Sequence, residues 1–229
     1  MIEGFKTLTL EIPGEAFLAS IYLSYLGPYT GEYRQEVFTA ITDEMKNLSI
    51  HYPSAFSLTN TLYDQVTVRD WILEGLPNDP VSIENAIIAK KGIRYPLMID
   101  PQLQANKWLK VNEASNKLSV LNFSNSNYLK VLEMCVSSGY PVLIEEVEET
   151  LESSIDSLLE KKVQVIDGLK KTLLGDKKVA IDERFYLYMT SRLANPHFLA
   201  EVFNKSTVIN FSITFNGLKD QLLSDVCKL

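Results

Sequence analysis

Apolar and polar positions follow two different periods along the chain. In the first fifty residues the period is helical. "IPGEAFLASIYLSYLG" sets Phe17 with Ile21, and Leu18 with Tyr22 and Leu26, on helical spacings, with Pro13 near the start and Gly27 at the end. After the "GPYTG" break, Tyr33, Val37, Phe38, Ile41, Met45 and Leu48 form a second helical stripe that stops before Pro53. From "HYPSAF" to "EGLPNDP" the pattern is irregular and predicts a turn-rich connector with a short helix. "NDPVSIENAIIAKKG" predicts a further helix, with Asp79 as N-cap, Pro80 at the first helical position and Gly92 as the stop.

Beyond Gly92 short apolar runs take over: "YPLMI", "KLSVLNF", "PVLIEEV", "RFYLYMT" and "STVINFSI". Strands apolar on both faces and alternating with helices predict a parallel sheet covered on both sides, an α/β layered domain. Between the second and third runs, "SNSNYLKVLEMCVSSG" predicts a capped amphipathic helix with Tyr128, Leu129, Leu132 and Cys135 inward. Between the third and fourth lies the longest insertion. It should hold an acidic helix, "EETLESSIDSLLEKK", and a β-hairpin turning at Gly175-Asp176 that projects from the sheet edge.

Composition adds exclusions. A chain of 229 residues, 46% hydrophobic, can bury a sizeable core. Its formal charge of −7 disfavours a nucleic-acid surface, and no Lys/Arg stripe along the sequence interrupts that balance. The early apolar run "AFLASIYLSYLG" is too short to span a membrane. Cys135 and Cys227 lie far apart, and His51 and His197 have no ligand-type neighbours, so neither a disulfide framework nor a metal site is expected, and the compartment should be reducing.

The chemistry worth weighing begins at "YPLMIDPQLQANKWLK", a buried strand, a loop and a helix, with Lys107 where a phosphate-binding loop would put its lysine. Against the pattern GxxxxGK[ST], Pro101, Asn106 and Trp108 occupy three of the four fixed positions. Pro101 lacks an N–H, Asn106 adds bulk where bare backbone is needed, and Trp108 has no hydroxyl to hold a cation. Lys107 also reads as an ordinary surface lysine of an amphipathic helix. The third strand ends in Glu145 and Glu146, the arrangement that in P-loop ATPases holds Mg²⁺ and activates water, though a solvated strand end looks the same. The fourth ends in Thr190, Ser191 and Arg192, at the edge where open α/β sheets keep ligand-facing residues, or simply in a turn before Pro196.

Taken in order, "YLGPYTGEYR", "DWILEGLPNDPVSIEN", "YPLMIDPQLQANKW", "GYPVLIEEVEE", "RFYLYMTSRLANPHF" and "NFSITFNGLKDQLL" closely resemble the fifth AAA+ module of the dynein heavy chain, in wording nearer the axonemal than the cytoplasmic forms. The resemblance implies a P-loop NTPase-like, five-stranded parallel sheet in the order 5-1-4-3-2, sandwiched by helices. It divides the chain into N-terminal helices over residues 1–50, on the buttress side, and a degenerate AAA+ core over 51–229, with the helical lid expected after Leu229. It implies a non-hydrolysing module of a minus-end-directed microtubule motor, with no cofactor of its own and with ATP and Mg at other modules. A degenerate site that still binds or slowly hydrolyses ATP or ADP is the alternative. Lys107, Glu145, Glu146, Thr190, Ser191 and Arg192 would be the relic nucleotide site. Lys205 falls near where such a module offers a basic finger to its neighbour, although a lysine lacks the bidentate fork of arginine. Implied partners are the neighbouring modules and buttress coiled coil of the same chain and, for the parent, microtubules and intermediate and light chains, in the ciliary or flagellar axoneme.

Overall fold

The structure is a computed structural model that describes residues 2–166 and 168–213, together with 218, 219, 222, 223 and 226; side chains of residues 2–9 are not among the features described. Cys227, one of the two cysteines read above, lies outside the described residues.

Five short strands, β1 (Pro96–Ile99), β2 (Ser119–Asn122), β3 (Val142–Glu145), β7 (Leu187–Ser191) and β8 (Thr207–Asn210), form one all-parallel sheet in the order β2-β3-β7-β1-β8. Counting only these core strands, the order is 5-1-4-3-2, as the resemblance implies. Successive side chains point to opposite faces, and the sheet divides its apolar residues accordingly. Leu97, Ile144, Met189 and Val208 pack in one core layer, and Met98, Leu143, Tyr188 and Ile209 in the other. Burial on both faces is why these runs lack polar alternation.

The Met98 layer is covered by α5 (Pro80–Lys91), α6 (Gln104–Asn112), the connector helices α3 (Leu58–Leu62) and α4 (Gln65–Leu73), and the end of the first helix. In α5 the Asp79 carboxylate accepts the Ser82 N–H at 2.9 Å and Pro80 opens the helix, as read from the sequence. Below Trp108 of α6, Lys90 donates to Glu113 and Asn112, at 2.5 Å each, and to the Tyr188 hydroxyl at 3.1 Å, tying the ends of α5 and α6 to β7. The Leu97 layer is covered by α7 (Tyr128–Ser138), by the short α8 (Asp156–Leu159) and α9 (Ala200–Lys205), and by a second, three-stranded antiparallel sheet. Leu132 and Cys135 of α7 are fully buried.

Four sequence expectations are corrected. The first helix, α1 (Ile2–Ile21), runs through Pro13 instead of starting near it, and continues as a π-helical turn, Tyr22–Leu26. Phe17 is 49% exposed, whereas Leu18, Tyr22 and Leu26 are buried. The inward face of α2 (Gly31–Asn47) is rotated: Tyr33 and Leu48 are exposed, and Arg34 and Thr42 are buried in their place. The acidic helix is reduced to a 3₁₀ turn, Ser153–Ile155, and the four-residue α8. There Ser154 serves tertiary contacts, its carbonyl accepting the Gly175 N–H and its hydroxyl meeting that of Tyr128, so the segment follows its partners more than its helix propensity. The hairpin has three strands, β4 (Gln164–Ile166), β5 (Leu169–Leu174) and β6 (Lys177–Ala180), and it packs Leu174 and Val179 into the Leu97 layer instead of projecting from the sheet edge. Gly175, at φ +57°, makes the β5–β6 turn where expected.

The rotation of α2 has an electrostatic cause. The Arg34 guanidinium donates to Glu84 at 2.8 Å, to Asn85 at 2.8 Å, and to the carbonyls of Gly27 and Tyr29. Asn85 in turn donates to the Asn210 carbonyl at 2.7 Å, and the Asn210 N–H to the Gly27 carbonyl at 2.9 Å. One cation thus joins α2, the end of the first helix, α5 and the β8 edge. Breaking a buried pair by removing one partner strands the other charge. Arg34→Ala should therefore cost about 3–5 kcal/mol, far more than removing a surface pair, read as a lowered urea midpoint at unchanged m-value. Among the described residues no helix is long and apolar enough to cross a membrane.

Candidate functional site

The carboxyl ends of β1, β3 and β7 meet the N-terminus of α6, where an open α/β sheet carries its ligand site. Every exposed N–H at a helix start is an anion donor. Here those donors already have an anion. The Asp100 side chain, fully buried at the tip of β1, accepts the Gln104 N–H at Oδ1 and the Asn106 N–H at Oδ2, both at 2.8 Å. Burial raises its pKa above the usual aspartate value, an effect that the N–H groups of Asn106, Gln104 and Ala105 and the nearby charge of Lys107 offset only in part. Leu103 takes the left-handed conformation, at φ +60°, to bring the chain round.

Asn106 is buried, and its side chain donates to Glu145 Oε1 at 2.6 Å. Lys110, one helical turn on and so on the same face of α6, places its ammonium 2.6 Å from the same oxygen. Burial alone would raise the Glu145 carboxyl, but the hydrogen bonds from Lys110 and Asn106, with the charges of Lys110 and Arg192, outweigh it and hold it below its ordinary value. Trp108 is fully buried, edge-on to Trp71 at 5.7 Å, and points into the Met98 layer.

The structure brings some of the predicted residues together and separates others. Glu145 and Glu146 stand side by side, but Glu146 turns away in the left-handed conformation, φ +57°, to accept from Asn122 at 2.9 Å and from Arg192 at 3.2 Å. Thr190 and Ser191 are buried in β7, where their backbone carbonyls accept the N–H groups of Val147 and Asp100. Lys107 is exposed and acts on the Asp100–Asn106–Lys110–Glu145 cluster only through its charge near Asp100. Lys205 lies apart from the cluster, 11% exposed and ion-paired with Asp156 at 2.7 Å and with Glu201. Asp100 and Lys110 went unread in the sequence. Lys110 could have been found from its four-residue spacing to Asn106, but Asp100 sits three residues before the N-cap position, outside the usual capping patterns. Among the described residues no group of three or more His, Cys, Asp or Glu is placed to hold a metal.

Residues 69–229, well over half of the chain, match the family described as "ATP-binding dynein motor region". The chain belongs to the dynein motor family. It is 40% identical over 228 residues to human dynein axonemal heavy chain 6, covering 100% of this chain and 6% of that protein. Human axonemal heavy chain 2 is 39% identical over 228 residues, and mouse axonemal heavy chain 3 is 43% identical over 216, each with 5% of its length covered. This dynein segment therefore spans about one-twentieth of the length of the relatives it matches. The family description names ATP; in this dynein chain the N–H groups at the start of α6 meet Asp100.

Two outcomes follow. Asp100→Ala leaves buried N–H groups unsatisfied and should cost about 1–2 kcal/mol, with Asp100→Asn, which keeps one acceptor oxygen, costing less; urea denaturation of the pair checks this. Because the folded pKa of Glu145 lies below 4.5, its stabilisation is present above about pH 4.5 and is lost as pH falls through the folded value. Lys110→Met removes the leading lowering partner, so the stability lost on acidification from neutral pH should be smaller in that variant than in the parent, measured as urea midpoints across the acid range.

Proposed function

We propose that this chain is the fifth AAA+ module of an axonemal dynein heavy chain and that it works without turning over nucleotide. The observation that carries the reading is Asp100: a carboxylate of the chain's own occupies the anion donors at the start of α6. Lys110 supports it from the other side, as a resident ammonium on the carboxylate that in active P-loop enzymes would face the metal. A triphosphate entering here would have to displace Asp100 from its N–H groups and set two negative charges against each other. With Pro101, Asn106 and Trp108 at three of the four fixed loop positions, the residues present do not fit Mg-ATP.

In this reading the module is a mechanical part. Its neighbours are other AAA+ modules of the same chain and the buttress coiled coil, met by the helices of residues 1–50. Shifts imposed on one face pass through a rigid sheet to another. The parent would be an ATP-driven, minus-end-directed microtubule motor of the ciliary or flagellar axoneme, with hydrolysis at other modules. Lys205, held by Asp156 and Glu201, belongs in this account to its own module's scaffold and not to a neighbour's nucleotide.

Isothermal calorimetry with Mg-ATP and Mg-ADP should give no binding heat, and saturating nucleotide should leave the melting temperature unchanged. A ligand at a hundred times its Kd would add about 2.7 kcal/mol. Heat that disappears in Lys107→Ala would overturn the reading and make this a regulatory nucleotide site.

A further inference from the structure

The three-stranded sheet presents a basic surface where the sequence reading expects no Lys/Arg stripe. The three-stranded sheet and the approach to it, residues 161–180, carry six lysines against two aspartates in a chain whose formal charge is −7. The pairing register sets Lys171 opposite Gln164 and Ala180, and Leu173 opposite Lys178. Residues directly opposite share a face, so Lys171, Leu173 and Lys178 point together to the side of the sheet away from Thr172, Leu174 and Val179, which are buried. Lys171, Leu173 and Lys178 line an open groove of about 400 Å³, which Ser157 and Thr172 also border. Val163, Ile166 and Leu173 give it an apolar floor, and Lys162, Lys171 and Lys178 a cationic rim. Val163 and Leu173 are 41% and 42% exposed.

We infer that this groove docks an acidic protein segment with apolar side chains interspersed among its carboxylates. Three considerations favour that partner. Lysines often protect a sheet edge from unwanted pairing, but Lys171 lies on the middle strand, where that role has no meaning. The apolar floor rewards burial of side chains, which a bare polyanion does not offer. And the remainder of the chain is strongly acidic, so it repels an extended polyanion while leaving this patch attractive to a short one. Lys162 is paired with Glu160, but both are substantially exposed and such a pair is easily exchanged. The inference is independent of whether the β1–α6 loop holds nucleotide.

The test uses the 229-residue chain and a short fluorescent peptide in which glutamates alternate with leucines, read by anisotropy. Saturable binding that weakens as salt rises is expected, with affinity falling about tenfold or more in Lys171→Glu/Lys178→Glu and staying within about twofold in Lys46→Glu/Lys130→Glu, which makes the same change of net charge elsewhere. Acetylation footprinting of the unmutated chain gives a readout that does not depend on a variant folding: bound peptide should protect Lys171 and Lys178 and leave Lys46 and Lys130 reactive. Absence of binding, equal loss in the control variant, or unprotected Lys171 and Lys178 would overturn the proposal. So would tighter binding to phosphatidylserine vesicles or to a single-stranded oligonucleotide.

Discussion

The Asp100 carboxylate is the contact from which the carboxyl edge of the sheet is organised. β1 is next to the middle of the sheet, and Asp100 extends it by one residue, donating its backbone N–H to Ser191 while its side chain takes the first N–H groups of α6. A buried carboxylate with no partners would cost several kcal/mol, on the order that makes such groups take up a proton. With two N–H groups at 2.8 Å and a helix start behind them, it becomes the pin that sets where α6 begins and hence where Asn106 and Lys110 stand over Glu145. The strand, the loop and the helix are held in one arrangement by a carboxylate of the chain's own.

The chain belongs to a motor family named for ATP, and the fold needed for that work is intact through all five parallel strands. Several side chains anticipated for the site are paired within the chain: Glu145 with Lys110, Glu146 with Arg192 and Asn122, Lys205 with Asp156. Among the residues anticipated for the site, Lys107 is the cation left out on the surface.

What could be read in advance follows from how far each signal reaches along the chain. The parallel sheet was legible because burial on both faces writes an unbroken apolar run into each strand, and α5 because Asp79, Pro80 and Gly92 are local signals with local causes. The face of α2 was misread because an apolar count cannot see that Arg34 is the buried residue and Tyr33 the exposed one, since the partners that make this favourable, Glu84 and Asn85, lie some fifty positions away. The acidic helix failed likewise, because Ser154 answers to Gly175 and Tyr128 more than to its neighbours. At the site, the broken phosphate-loop pattern was plain in Pro101, Asn106 and Trp108, but a pattern of what is missing says nothing of what has replaced it. Lys110 left a trace in its four-residue spacing to Asn106, whereas Asp100 became visible only once the loop had closed.

Gly27 sets how the first helix is fastened to the rest. Its carbonyl receives the Asn210 N–H from the β8 edge, and a Cβ there would stand 2.4 Å from the Val208 carbonyl oxygen, so backbone lies directly on backbone. This backbone contact stands beside the side-chain packing of Ala19, Tyr22 and Leu26 in the Met98 layer. The end of the helix is thereby fixed in distance as well as in rotation: the close backbone approach and its hydrogen bond set how near it lies to β8, and its buried face sets how it is turned about its own axis.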